Sequence, residues 1–215
     1  MKRALIVQGG WEGHKPREVA NLLAQTLREN VFQVEVSDTL DAFKDKDLEE
    51  VDLIVPIWTM GHIELDQLSP FLEAVRGGTG IAGVHGGMAD AFRDQPGYQY
   101  MVGGQWVAHP GGDGVTYEVN ITDVPSPITE GIEDFTVTSE QYYMHVDPGN
   151  TVLATTRFAC TGGDVVMPVV WTKTYGQGRV FYCSLGHSAE IVRQPEVLTM
   201  VTRGMIWAAK GRVES

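Results

Sequence analysis

The feature that most limits what this chain can fold into is an alternation of short apolar runs with helically spaced segments, punctuated by glycine-rich turns. Ala4 to Val7 is the first run, and it ends in Gln8-Gly9-Gly10-Trp11-Glu12-Gly13-His14. Pro16 then suits the first turn of a helix that carries Val19, Leu22, Leu23 and Leu27 on one face. Val31 to Val36 and Leu53 to Trp58 read as further strands. After Thr59-Met60-Gly61-His62 a second helix presents Leu65, Leu68, Phe71, Leu72 and Val75, and Arg76-Gly77-Gly78 stops it. Gly80 to Val84 is the next strand. Strands that alternate with helices imply βαβ units and a mostly parallel sheet covered on both faces.

The second half changes character. Val115 to Ile121 alternates apolar and polar residues, and strand-like runs recur near Thr151 to Thr156, Val165 to Thr172 and Arg179 to Cys183. These predict antiparallel additions to the sheet, followed by a closing helix from about Pro195 to Ala209. No repeat, linker or low-complexity run interrupts the pattern, so residues 1–215 read as a single α/β domain, long enough to bury a full core.

Composition then removes whole classes of partner. With 16 Lys+Arg against 28 Asp+Glu the formal charge is −12, and no basic cluster offers to neutralise phosphates, so no nucleic acid is expected. The apolar run at the N-terminus is too short for a signal core or a membrane span, so no membrane association is expected either. Cys160 and Cys183 form no CxxC pair and make no disulfide framework, which fits a reducing cytoplasmic setting. Gly9-Gly10-Trp11-Glu12-Gly13 lacks the order of a dinucleotide fingerprint and there is no phosphate-binding lysine loop, so no nucleotide cofactor is expected. A small molecule is the default ligand.

In open α/β sheets ligands bind beyond the C-terminal ends of the strands. His14, His62, His85 and His187 each follow a predicted strand. Around His85 the run Gly80-Ile81-Ala82-Gly83-Val84-His85-Gly86-Gly87 has the small flanking residues of a nucleophile elbow, yet its centre is neither Ser nor Cys. An imidazole there suits an acid, a base, a metal ligand or a hydrogen-bond donor to a substrate oxygen. Cys183 is predicted inside a buried strand, where a thiol is inert, which disfavours thiol hydrolysis.

Other candidates lie in the second half. Glu140-Gln141-Tyr142-Tyr143-Met144-His145 combines a carboxylate, two aromatic faces and an imidazole, the inventory of a carbohydrate site. Glu140 and His145 are candidate acid–base groups beside His85 and His187. Tyr142, Tyr143, His14, Trp11, Trp58 and His109 are candidate substrate contacts, the tryptophans by stacking on a sugar. Asp90 and Asp94 read as solvated or capping groups. His85, His145 and His187 are the candidate ligands of a divalent metal such as zinc, which takes three protein ligands and leaves a position open.

Four stretches in order carry a resemblance over nearly the whole chain. They are Gly9-Gly10 with His14, the elbow Gly83-Val84-His85-Gly86-Gly87, Gly103-Gly104-Gln105-Trp106 with His109-Pro110, and Arg179-Val180-Phe181-Tyr182-Cys183-Ser184-Leu185-Gly186-His187. Together they resemble the trehalose-utilisation, ThuA-like family. The resemblance implies a three-layer sandwich, flavodoxin-like and similar to class I glutamine amidotransferases, in which His85 takes the place of the catalytic Cys. His187 then follows a late strand where an amidotransferase puts its catalytic His. It also implies sugar catabolism, on trehalose-related disaccharides or their 3-keto derivatives. The expectation is therefore an enzyme that uses histidine acid–base chemistry, with or without a metal, on a sugar or keto-sugar. The alternative is a non-catalytic sugar-binding or accessory protein on the same fold, and exposed aromatics suggest a homo-oligomer.

Overall fold

The computed structural model describes residues 1–160 and 163–209. β1 (Lys2–Gly10) passes through a single 3-10 turn to α1 (Pro16–Glu29) and β2 (Phe32–Ser37). The short α2 (Ala42–Asp45) precedes β3 (Leu53–Thr59), and α3 (Leu65–Gly77) leads into β4 (Gly80–Val84). α4 (His85–Ala89) begins without a linker, then come α5 (Pro96–Val102), β5 (Gly104–Ala108), β6 (Val115–Ile121), β7 (Phe135–Ser139) and β8 (Tyr143–Val146). β9 (Thr151–Cys160), β10 (Gly163–Tyr175), β11 (Gly178–Cys183), α6 (Ala189–Val192) and α7 (Pro195–Ala208) complete the described chain.

Nine strands form one sheet in the order β2-β1-β3-β4-β11-β10-β9-β6-β7, and β5 pairs with β8 in a separate two-stranded ribbon. The pairs β1/β2, β1/β3, β3/β4 and β4/β11 are parallel, and every pairing from β10 outward is antiparallel. The 2-1-3-4 order, with β11 taking the fifth place, is the flavodoxin-like arrangement. The fold is thus α/β, a mostly parallel sheet with antiparallel additions in the second half.

Alternation along each strand sorts side chains into two cores. Ala4 and Ile6 of β1 join Val55, Ala82 and Phe181 beneath α1 and α7, whereas Leu5 and Val7 join Ile54, Ile81, Val180 and Tyr182 beneath α3 and α5. Three layers result. The helices form where the sequence marks their ends: α1 has Pro16 at its first turn and buries Val19, Leu22, Leu23 and Leu27, and α3 opens with a reciprocal Glu64–Gln67 capping box. Gly204 lets α7 lie directly on the ring of Phe181, because a Cβ there would stand 2.5 Å from that ring.

Eight of the strands fall on predicted runs, but β5, β7 and β8 did not stand out in the sequence. Each is four or five residues long, too short for a period to show. The closing helix begins at Pro195, where it was expected, and ends at Ala208. Cys160 ends β9 at the margin of the described residues, and its side chain lies outside them. No helix among the described residues is long and apolar enough to cross a membrane.

Candidate functional site

β4 is buried along its whole length and ends in a sharp elbow, where His85 takes φ +49°. That left-handed conformation costs a non-glycine residue on the order of 1–3 kcal/mol and persists only where the surroundings over-determine it. Three contacts do so here. His85 Nδ1–H donates to the Ser184 carbonyl at 2.7 Å, its Nε2 lies 2.9 Å from Glu140 Oε2, and Tyr182 donates to the His85 carbonyl at 3.2 Å. The strained geometry of a nucleophile elbow is thus present, with an imidazole at its tip.

Two further imidazoles arrive from neighbouring strand ends. His14 follows β1, is 7% exposed, and holds Thr59 Oγ1 at the end of β3 through Nδ1 at 2.8 Å. Its ring meets that of His85 edge-on at 4.7 Å. Glycine is required at position 86 for this approach, since a Cβ would come within 2.7 Å of the His14 ring. His187 follows β11, and its ring lies 5.2 Å from His14 and 5.6 Å from His85.

The carboxylate at the centre comes from the antiparallel half. Glu140 sits between β7 and β8, in a segment fixed by Tyr117, which donates to the Glu140 carbonyl, and by Gln141, which donates to Thr156 Oγ1. Glu140 lies 3.8 Å from His14 Nε2 and 3.4 Å from His187 Nδ1, as well as 2.9 Å from His85 Nε2. His109, beyond β5, places Nε2 3.7 Å from Glu140 Oε1. Tyr142 stacks on His85 with ring centroids 4.1 Å apart.

The electrostatics follow from this packing. Burial drives His85 down to about 4, against the pull of Glu140, so its ring is neutral at pH 7. Burial also works to raise Glu140, but the imidazoles of His14, His187 and His85 outweigh it and hold the carboxyl well below the usual range. Glu140 in turn raises His187. His14 Nε2, His187 Nδ1 and His109 Nδ1 are buried and have no hydrogen-bond partner. His14, His85 and Glu140 are buried, while His187 and His109 keep about a quarter to a third of their side chains open, so solvent reaches the cluster from their side.

Placement corrects several expectations. His145 is not in the cluster: Tyr142, just before β8, and Met144 are buried while His145 is exposed, opposite Gln105 of β5. His14, expected only as a substrate contact, stands where His145 was expected as a ligand. Tyr143 is half-buried and packs edge-on against Phe158 at 5.3 Å. Trp58 is half-buried and fills the wedge between Gly9 and Gly61, where a Cβ on either would strike its ring. Trp11 is 47% exposed and edges His14 at 4.8 Å, so it remains beside the site. Asp90 is not solvated: it is 3% exposed, ends α4 at the C-cap with its N–H on the Gly86 carbonyl, and clamps Arg93 at 2.6 and 2.9 Å. His62 pairs with Asp94 on the surface, outside the cluster. Cys183 is fully buried in β11 and pushed up to about 12 by burial, which makes it an inert thiol.

Thr59, the Ser184 carbonyl and Asp113, whose Oδ2 is 4.0 Å from His187 Nε2, complete the surroundings and were not foreseen. Only the end-of-strand position of Thr59 carried any signal for them.

A family model described as ThuA, trehalose utilisation, matches residues 3–208. The chain belongs to the ThuA family. No curated protein matches it. A ThuA-like protein from Parabacteroides merdae has a similar structure, with a TM-score of 0.80 and 21% identity over 100% of this chain and 92% of that one. Another, from Bacteroides uniformis, reaches 0.78 with 16% identity over 96% and 91%. A glutamine amidotransferase from Thermotoga maritima aligns at 0.53 with 13% identity over 85% of the ThuA chain and 74% of its own. The ThuA chain therefore has the amidotransferase-like fold, and at its elbow stands His85.

Proposed function

We propose that this ThuA protein is a cytoplasmic enzyme of sugar breakdown that acts on trehalose-related or 3-keto sugars by moving protons, without a covalent protein nucleophile. The observation that carries the reading is the convergence of His14, His85 and His187 on the buried carboxylate of Glu140, at the strand ends where this fold class binds ligands.

The chemistry follows from what a keto group does to a sugar. A carbonyl at carbon 3 acidifies the hydrogen on carbon 2, and the glycosidic oxygen on carbon 1 is then positioned as a leaving group. A base removes the carbon-2 proton, the electron pair forms the carbon 1–carbon 2 double bond, and the departing oxygen takes a proton from an acid. His187 and His109 are the two imidazoles that reach solvent beside Glu140, so they are the proton carriers a substrate can meet. The buried groups, His85, His14 and Glu140, supply a fixed field, which is worth most where water is excluded. Trp11 at the rim offers a face for the sugar ring.

The test is exchange of the carbon-2 hydrogen in deuterated water, with turnover of 3-keto-trehalose or a 3-keto-glucoside. Wild-type protein exchanges and turns over, and His85→Ala does neither while it keeps its circular dichroism spectrum. Full exchange by His85→Ala refutes the proposal. Sugar binding with no exchange by wild type favours the accessory-protein alternative.

A further inference from the structure

We propose that His14 Nε2, His85 Nε2, His187 Nδ1 and one oxygen of Glu140 are the ligands of a divalent transition ion of the zinc type. The inference deepens the reading above, since it names the cofactor of the same site.

The argument starts from His85. Its Nδ1 faces a backbone carbonyl, which only accepts, so Nδ1 carries the proton. In the neutral ring Nε2 is then a bare lone pair, and it stands 2.9 Å from a carboxylate oxygen. Two acceptors at that distance repel unless a positive charge lies between them. His85 is buried at 1% exposure, and no Lys or Arg side chain pairs with Glu140 among the described residues. A cation resolves the contact.

Two independent atoms point to the same place. His14 Nε2 and His187 Nδ1 are buried without partners, and both face Glu140, at 3.8 and 3.4 Å. An unmade hydrogen bond on a buried nitrogen is costly, and two of them around one carboxylate need an explanation. One ligand atom from each of His14, His85, Glu140 and His187 lies within 4.8 Å of the other three. Tetrahedral ligands at zinc bond lengths stand ~3.4 Å apart, and the three distances to Glu140 scatter about that value.

The remaining ring nitrogens are held as ligand imidazoles require. His14 Nδ1 meets Thr59, His85 Nδ1–H donates to Ser184, and His187 Nε2 is oriented toward Asp113. Three imidazoles and a carboxylate without a thiol suit zinc and its first-row neighbours better than calcium or magnesium. Such an ion supplies Lewis acidity toward a sugar carbonyl. It also separates the two candidate proton carriers. His187 becomes a ligand, and His109, which is not one of the four, is left to move the proton.

The proposal is tested on protein stripped with a chelator, without any sugar. Zinc is titrated by calorimetry and cobalt(II) by its visible absorption. One ion per chain is expected, with cobalt bands of a nitrogen–oxygen ligand set. His14→Ala should weaken zinc binding by roughly 100-fold or more, and Thr59→Val by about 10–100-fold through loss of ring orientation. His145→Ala should bind as wild type does. Glu140→Gln serves as a second ligand variant, and each variant's melting curve shows that it is folded. Absence of saturable binding to the wild type overturns the proposal, as does wild-type affinity in folded His14→Ala. Stoichiometric binding with no exchange on keto-sugars leaves the ion standing and removes the sugar reading. Exchange by protein that binds no ion does the reverse.

Discussion

The parallel and antiparallel halves of the sheet deliver functional groups to the same site by different means. In the parallel half a strand simply stops: His14 follows β1, Thr59 ends β3, His85 follows β4 and His187 follows β11. All four strands point the same way, so whatever terminates them gathers at one rim. In the antiparallel half directions reverse, and a residue reaches the site only if a turn aims it there. Glu140 does so between β7 and β8, and His109 beyond β5. The parallel half supplies orientation through common direction, and the antiparallel half supplies the charge that its partner lacks.

If both halves are needed, breaking either should cost the same. His85→Ala and Glu140→Gln are each expected to lower keto-sugar turnover by about 10²–10³-fold, the range for losing one preorganised electrostatic contact. Steady-state kinetics on folded variants decides this. Near-normal rates in Glu140→Gln with a dead His85→Ala would confine the chemistry to the parallel half and end the comparison.

The same difference explains what the sequence made legible. The parallel half announced its strands as four- to six-residue runs, and the residue after each run was therefore placed without knowledge of any contact. Flanking glycines exposed the elbow at His85, because Gly86 is forced by the approach of His14 and small residues leave a mark in the sequence. The antiparallel half gave the right residue types and the wrong register. Between Glu140 and His145 a shift of one position exchanges the buried and exposed faces, and four residues of β8 are too few to fix the phase. Thr59 and the Ser184 carbonyl lay beyond reach for another reason: their roles exist only once the imidazoles beside them are in place.

Scaffold changes are expected to have smaller effects, and they also differ between the halves. Gly204→Ala pushes a methyl group into the Phe181 ring on the parallel side and is expected to destabilise by about 1–3 kcal/mol, the cost of overpacking. Urea denaturation at pH 7 reads it. The antiparallel side depends instead on charge. Lys173 holds the Asp147 carboxyl below its ordinary value, with help from the Gly149 N–H. A depressed folded pKa means that the pair stabilises fully above the unfolded value of about 3.8 and that this contribution fades as pH falls through the lower folded value. Wild type should therefore lose stability below about pH 4 more steeply than Asp147→Asn. Identical acid limbs in urea melts would show that the pair contributes nothing.

The smallest expected effect bears most directly on register. His145 is exposed and pairs across to Gln105, on the face of the ribbon that turns away from Glu140. His145→Ala should leave turnover unchanged and stability within about 0.5 kcal/mol, as for an ordinary surface position. Met144→Ala, one residue earlier and 3% exposed, should cost about 2–5 kcal/mol, because a large buried side chain leaves a cavity. Two neighbouring substitutions with opposite outcomes would fix the phase of β8 by experiment. If His145→Ala abolished turnover instead, the ribbon would have to be shifted by one residue, and the antiparallel half would present a different imidazole to the site.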